Sequence, residues 1–68
     1  MDKTVIKTAE KVRELRKRKG LYQYELAQRS GLTMQTVSNV ETGRKDPESS
    51  TLRKLAKGLG VSLAELLD

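Results

Sequence analysis

Gly20, Gly31, Gly43, Pro47 and Gly60 cut this chain into pieces too short for anything but brief regular elements. Inside the pieces the apolar residues recur three and four apart, the period of one helix face. Val5, Ile6, Ala9, Val12 and Leu15 form the first stripe, Leu26 and Ala27 the second, and Leu52, Leu55, Ala56 and Leu59 another. No stretch alternates with a period of two over a useful length. Helices are the only regular element the pattern supports.

The boundaries follow from capping chemistry. Thr4 can cap the first helix; Lys17, Arg18 and Lys19 crowd its last turn, where cations suit the helix dipole, and Gly20 ends it. A second helix runs from about Gln23 to Ser30 and is broken by Gly31. Thr33 caps a third, which Gly43 closes. Residues 44–48, RKDPE, form a turn because Pro47 cannot continue a helix. Ser49 or Ser50 starts a fourth helix and Gly60 ends it. SLAE, Ser62 to Glu65, has capping-box spacing for a short fifth. Val61, Leu63, Leu66 and Leu67 are expected to close the core, with Leu67 and Leu59 the two leucines able to stay partly exposed. Gly58 sits inside the fourth helix, where glycine costs about 1 kcal/mol relative to alanine, so a close helix contact is expected there. The expectation is a compact all-α fold: one five-helix domain over residues 1–68, with no repeat or linker.

Composition narrows the function. The 68 residues include no cysteine and no histidine. That removes disulfides, thiolate ligands, the commonest general base and the commonest metal ligand. The acidic residues are scattered singly, so neither an enzyme nor a metal or other cofactor is expected. No apolar run approaches the roughly 20 residues of a membrane span, and the N-terminus lacks a signal peptide's apolar segment. A cytoplasmic protein is the natural expectation, with no membrane partner. Fourteen basic residues against nine acidic ones give a formal net charge of +5. Six of those bases lie in KVRELRKRK, residues 11–19. Such an excess favours polyanions or simply confers solubility, and the run itself reads more readily as a solvated face than as a groove binder.

Gln23 to Thr42 is the informative unit. Leu26, Leu32, Val37 and Val40 are its large apolar positions, Ala27 the small one and Gly31 the break. This describes two short helices packed across a tight turn whose residue tolerates positive φ, the helix-turn-helix pattern. On the second of the two, Val37, Val40 and Glu41 form one stripe. Met34, Gln35, Ser38, Asn39 and Thr42 lie opposite and carry no charge. In the DNA major groove amides bond adenine bidentately, hydroxyls are permissive and apolar groups contact the thymine methyl. Met34 either shields the helix or touches such a methyl. Tyr22 and Tyr24, the only aromatics, either cover the second helix's first turn or bring a hydroxyl to phosphate.

From about Val12 to Leu67 the sequence resembles the helix-turn-helix domains of the phage repressor and Cro family, the xenobiotic-response-element class. LRKRKGLYQYELAQRSGLTMQTVSNVETGRKDPESSTLRKLAKGLGVSLAELL carries the likeness without a gap. The resemblance implies a lambda-repressor-like fold and sequence-specific binding of double-stranded DNA. It also implies a transcriptional regulator, most often a repressor, working as a homodimer on an inverted-repeat operator and associated with the nucleoid. Position by position, it implies that Gln23, Thr33, Thr42, Arg44, Lys45 and Ser50 approach phosphate. Met34, Gln35, Ser38 and Asn39 would face base edges. Arg16 and Glu41 match an internal salt bridge. Tyr22 stands where the family usually has a capping serine or threonine. Ser30 replaces an apolar or larger residue, so the end of the second helix is expected to be loosely anchored. A rival reading from another class is a protein-interaction module, since the same fold occurs in bridging coactivators.

Overall fold

The computed structural model describes the backbone of residues 3–67 and the side chains from Lys7 to Leu67. Its elements are α1 (Lys3–Arg18), α2 (Gln23–Ser30), α3 (Met34–Glu41), α4 (Ser49–Leu59) and α5 (Leu63–Leu67), with no strand among the described residues. Because α1 already includes Lys3, Thr4 lies in its first turn and does not cap it. The side chains of Thr4, Val5 and Ile6 lie outside the described residues.

Four helices end in the same way. Gly20, Gly31, Gly43 and Gly60 all have φ near +70°. The residue after each glycine donates its N–H five residues back: Leu21 to Arg16, Leu32 to Ala27, Arg44 to Asn39 and Val61 to Ala56, at 2.9–3.1 Å. This is the Schellman stop, which satisfies helix-end carbonyls at a residue needing left-handed backbone. At three of these stops the residue after the glycine is apolar and tucks inward. Leu21 is buried, and Leu32 and Val61 lie against the core.

Starts are more varied. Tyr22 supplies no side-chain cap to α2. Glu25 works from the other side, its carboxylate accepting the Tyr22 N–H at 2.9 Å. Thr33 caps α3 by accepting the Thr36 N–H at 3.1 Å, and Ser62 does the same for Glu65 at the start of α5. The fourth helix begins at Ser49 behind Glu48, which makes no side-chain cap bond.

The core gathers Val12 and Leu15 of α1, Leu26 and Ala27 of α2, Val37 and Val40 of α3, Leu55, Ala56 and Leu59 of α4, and Leu66 of α5. Two expectations need correction. Leu59, expected to be able to stay partly exposed, is fully buried, whereas Leu67 keeps the partial exposure open to it, at 49%, and does not close the core. With only five residues α5 can turn one side inward; Leu66 takes that side, and Leu67, about 100° further round the helix, points outward. Leu63 is half-buried.

Gly58 meets the close contact expected of it. A Cβ built there would stand 2.1 Å from Ser30 Oγ and 3.2 Å from Ser30 Cβ. The last turn of α2 therefore presses against the backbone of α4, and the expectation of a loosely anchored end is wrong. Ser30 is small because α4 leaves no room for more. Its buried hydroxyl finds no partner in the protein.

Gly58→Ala should therefore destabilise the fold by about 1–3 kcal/mol, the usual range for overpacking. Ser30→Ala removes an unpaired polar group and should be neutral or stabilising by up to about 1 kcal/mol. Combined, the two should lose less than their separate effects predict, because the nearest clashing atom is gone. Thermal and urea melts of the four proteins measure this.

Candidate nucleic-acid interface

Glu41 ends α3 and is 2% exposed. A carboxylate there must be met by charge and hydrogen bonds. Arg16 of α1 donates from Nε to Glu41 Oε2 at 2.7 Å and from Nη2 to Oε1 at 3.1 Å, a two-pronged pair. Its remaining nitrogen, Nη1, donates to the carbonyl of Leu21 at 2.8 Å. Gln23 Nε2 donates to Glu41 Oε1 at 3.2 Å. One carboxylate thus fixes α1, the first turn of α2 and the last turn of α3 against one another.

Held from behind in this way, α3 buries Val37, Val40 and Glu41 and turns its other side out. Met34 is 54% exposed, Gln35 is exposed, and Ser38 and Asn39 are half-exposed. Gln35 Nε2 donates to Asn39 Oδ1 at 3.1 Å, one helical turn away. None of the four carries a formal charge, so the face offers donors, acceptors and a thioether but no field of its own.

The expected phosphate-contacting residues sit in different local settings. Thr33 is exposed, and its hydroxyl is shared between the Thr36 N–H and the Thr36 hydroxyl. Thr42 turns its hydroxyl back to donate to the Ser38 and Asn39 carbonyls, at 2.9 and 3.3 Å, so its hydrogen serves the end of α3. Gln23 lies at the opening of α2, with one amide hydrogen engaged by Glu41. Ser50 is exposed in the first turn of α4. Arg44 and Lys45 are exposed in the loop between α3 and α4.

Arg44 occupies an instructive position. It is the residue after the glycine at the fourth Schellman stop, the slot where Leu21, Leu32 and Val61 turn inward. Here the slot holds an exposed cation, immediately beyond the end of α3. Beside it, Thr36, Asn39 and Val40 of α3 face Lys45, Asp46, Pro47, Glu48 and Thr51 across a shallow cleft of about 240 Å³. The structure thereby brings Asn39 and Lys45 to one rim.

Sequence reasoning missed three features here. The resemblance implies only a phosphate contact for Gln23, yet its amide also completes the Glu41 network. Leu21's carbonyl anchors Arg16, a backbone acceptor that no pattern of side chains announces. Tyr22 and Tyr24 stack on each other, ring centroids 5.8 Å apart and planes within 9°, and stay largely exposed. Their spacing of two does not suggest such a contact within a helix, and it arises because Tyr22 precedes the first turn of α2.

A pair of short helices crossing at a glycine turn, the second with a polar uncharged face and flanked by exposed bases, defines a helix-turn-helix of the DNA-binding kind. The family model described as Helix-turn-helix (HTH_3) matches residues 12–66, and the chain belongs to that family of DNA-binding transcription regulators. It is 49% identical over 53 residues to an uncharacterized HTH-type transcriptional regulator, y4dJ, of Sinorhizobium fredii, covering 78% of this chain and 69% of the relative. It is 40% identical over 57 residues to the cryptic phage CTXphi transcriptional repressor RstR of Vibrio cholerae, covering 84% of this chain and 51% of that one. The chain thus spans about half to two thirds of these two relatives. Among solved structures, the restriction-modification controller protein C.AhdI of Aeromonas hydrophila superposes with a TM-score of 0.88 at 39% identity, covering 91% of this chain and 94% of the other.

Glu41→Ala should cost about 3–5 kcal/mol, because it strands Arg16 in a part-buried site and frees Gln23. That loss approaches the whole stability of a domain this small. Glu41→Gln keeps the shape and part of the hydrogen bonding, and it should lose less. Urea denaturation of both variants checks the order.

Proposed function

We propose that this chain acts as one DNA-binding domain, of the xenobiotic-response-element class, that represses transcription from an inverted-repeat operator in double-stranded DNA. The observation that carries the reading is the outward face of α3: four uncharged side chains, Met34, Gln35, Ser38 and Asn39, on a helix whose other side is locked into the core. Neutral hydrogen-bonding groups suit base edges, where sequence is read; cations suit the phosphates, where position is set. Gln35, Ser38 and Asn39 read bases, and Met34 lies against a thymine methyl.

Arg44 and Lys45 hold the sugar-phosphate backbone beside α3, with Thr33, Gln23 and Ser50 contributing at helix starts, where free N–H groups favour an anion. Thr42 joins them if its hydroxyl turns from the Ser38 carbonyl. The repressor role is supported by the likeness to RstR, whose name describes a transcriptional repressor. In this reading the protein works in the cytoplasm, on the nucleoid, without catalysis or cofactor.

One such head touches too few base pairs to select a site in a genome. A two-fold pair of chains doubles the contact, with half-sites roughly 10 base pairs apart so that both α3 helices enter the groove on one side. Exposed Leu67 and half-buried Leu63 give α5 a small apolar patch, suited to weak self-association strengthened on DNA. Selection of bound duplexes from a random pool should return an inverted repeat. A return of unselected sequence would sink the proposal. Sedimentation should show mainly monomer alone and two chains per bound duplex.

Arg44→Ala separates positioning from reading. It should weaken binding to all duplexes alike and reduce the slope of log affinity against log salt by about one unit. A loss confined to one sequence would contradict a backbone role.

A further inference from the structure

The two amides on the face of α3 are joined, and the join has consequences for sequence choice. We infer that Gln35 and Asn39 read adjacent base pairs as one coupled unit, with Asn39 acting both as a reader and as the positioning residue for Gln35. This deepens the proposed function and rests on it.

Gln35 and Asn39 are four apart on α3, so their side chains lie one above the other on the same face. Gln35 Nε2 donates to Asn39 Oδ1 at 3.1 Å. A primary amide has two N–H donors and a carbonyl with two lone pairs. After the internal bond, Gln35 keeps its whole carbonyl and one N–H. Those two groups, one acceptor and one donor in a plane, match the N6 amino group and N7 of adenine. Guanine offers N7 and O6, both acceptors, and would leave the Gln35 carbonyl facing another oxygen. Asn39 is in the complementary position. Its carbonyl is engaged by Gln35, so it presents chiefly its two N–H groups. These favour a base with a major-groove acceptor, such as thymine O4 or guanine O6 and N7, and disfavour cytosine, which shows only its N4 donor there.

The bond also holds Gln35, whose exposed side chain would otherwise sample many rotamers, in one arrangement before DNA arrives. The hydroxyls of Ser38 and Thr42 lie on this face too, but neither is hydrogen-bonded to the side-chain amide of Gln35 or Asn39. The coupling therefore belongs to the Gln35–Asn39 pair. Neither residue is charged, so it should act on sequence preference and leave the salt dependence of binding alone.

Selection from a random duplex pool, followed by affinity measurements on the preferred site and its single-base variants, tests this with four proteins beside the parent. Gln35→Ala should relax the adenine preference at one base pair, weakening binding roughly 10-fold or more. Asn39→Ala should relax both its own base pair and, to a lesser degree, that of Gln35, because the anchor has gone. The double variant should bind less weakly than the product of the two single losses requires. Asn39→Asp is the sharp arm. Its carboxylate still accepts from Gln35, so the adenine preference should persist, while the neighbouring preference shifts toward cytosine, whose N4 group donates. Circular dichroism melts confirm that each variant is folded, as exposed substitutions in α3 should leave it.

Independent, multiplicative losses, each confined to its own base pair, would overturn the coupling while leaving base reading by the face intact. Loss of the adenine preference in Asn39→Asp would also overturn it. If no variant changed the selected sequence, the assignment of the α3 face as a reader would itself fail, a different outcome from either.

Discussion

The buried carboxylate of Glu41 sets the geometry on which the presentation of α3 depends. Helices as short as α2 and α3, eight residues each, are marginal alone and take their order from packing. Apolar contacts fix their separation but are non-directional. The fork of Arg16 on Glu41 adds direction, since a planar guanidinium meets a carboxylate in few arrangements. Leu21's carbonyl and Gln23's amide extend the same constraint to the connection between α1 and α2. A hydrophobic residue at position 41 could stabilise as much, but it would not fix the rotation of α3 about its axis in this way. That rotation decides which residues face outward.

Gly58 and Ser30 show the complementary kind of constraint, one of space. A glycine within α4 sacrifices intrinsic helix stability, and a serine at the end of α2 leaves a buried hydroxyl unpaired. Each looks like a flaw when considered alone. Together they let two backbones approach more closely than any larger pair of side chains would allow, which steadies the helix that precedes α3. The Arg16–Glu41 network ties the motif to α1, and the Ser30–Gly58 contact ties it to α4.

Much of this was legible in the sequence because it depends on local rules. Helix period, glycine stops and the Thr33 and Ser62 caps all act within a few residues, and the boundaries of α2 to α5 follow from them. The close approach at Gly58 was legible as a cost needing a cause, but its partner was not, since Ser30 is 28 positions away and nothing local links the two. Leu67 was open to two readings, closing the core or staying partly exposed, because a five-residue helix has too few positions to reveal which side is inner. At the site, the residue types on α3 were readable, while the bond between Gln35 and Asn39 was not. An i, i+4 amide pair permits such a bond, and only the rotamers decide whether it forms.

The four Schellman stops bring these threads to the chemistry. A chain that ends helix after helix by one device must put something in the slot after each glycine, and an apolar residue there adds to the core. Leu21, Leu32 and Val61 do so. At α3 the slot carries Arg44, giving up that contribution for an exposed charge in a domain with little core to spare. The charge stands at the end of the helix whose outer face is neutral, a small distance along the chain from Met34, Gln35, Ser38 and Asn39. In the proposed function, separating the cation from the amides in this way keeps a long-range, sequence-blind attraction off the face that discriminates. On that reading the attraction brings α3 to any duplex, and the neutral face decides where it stays.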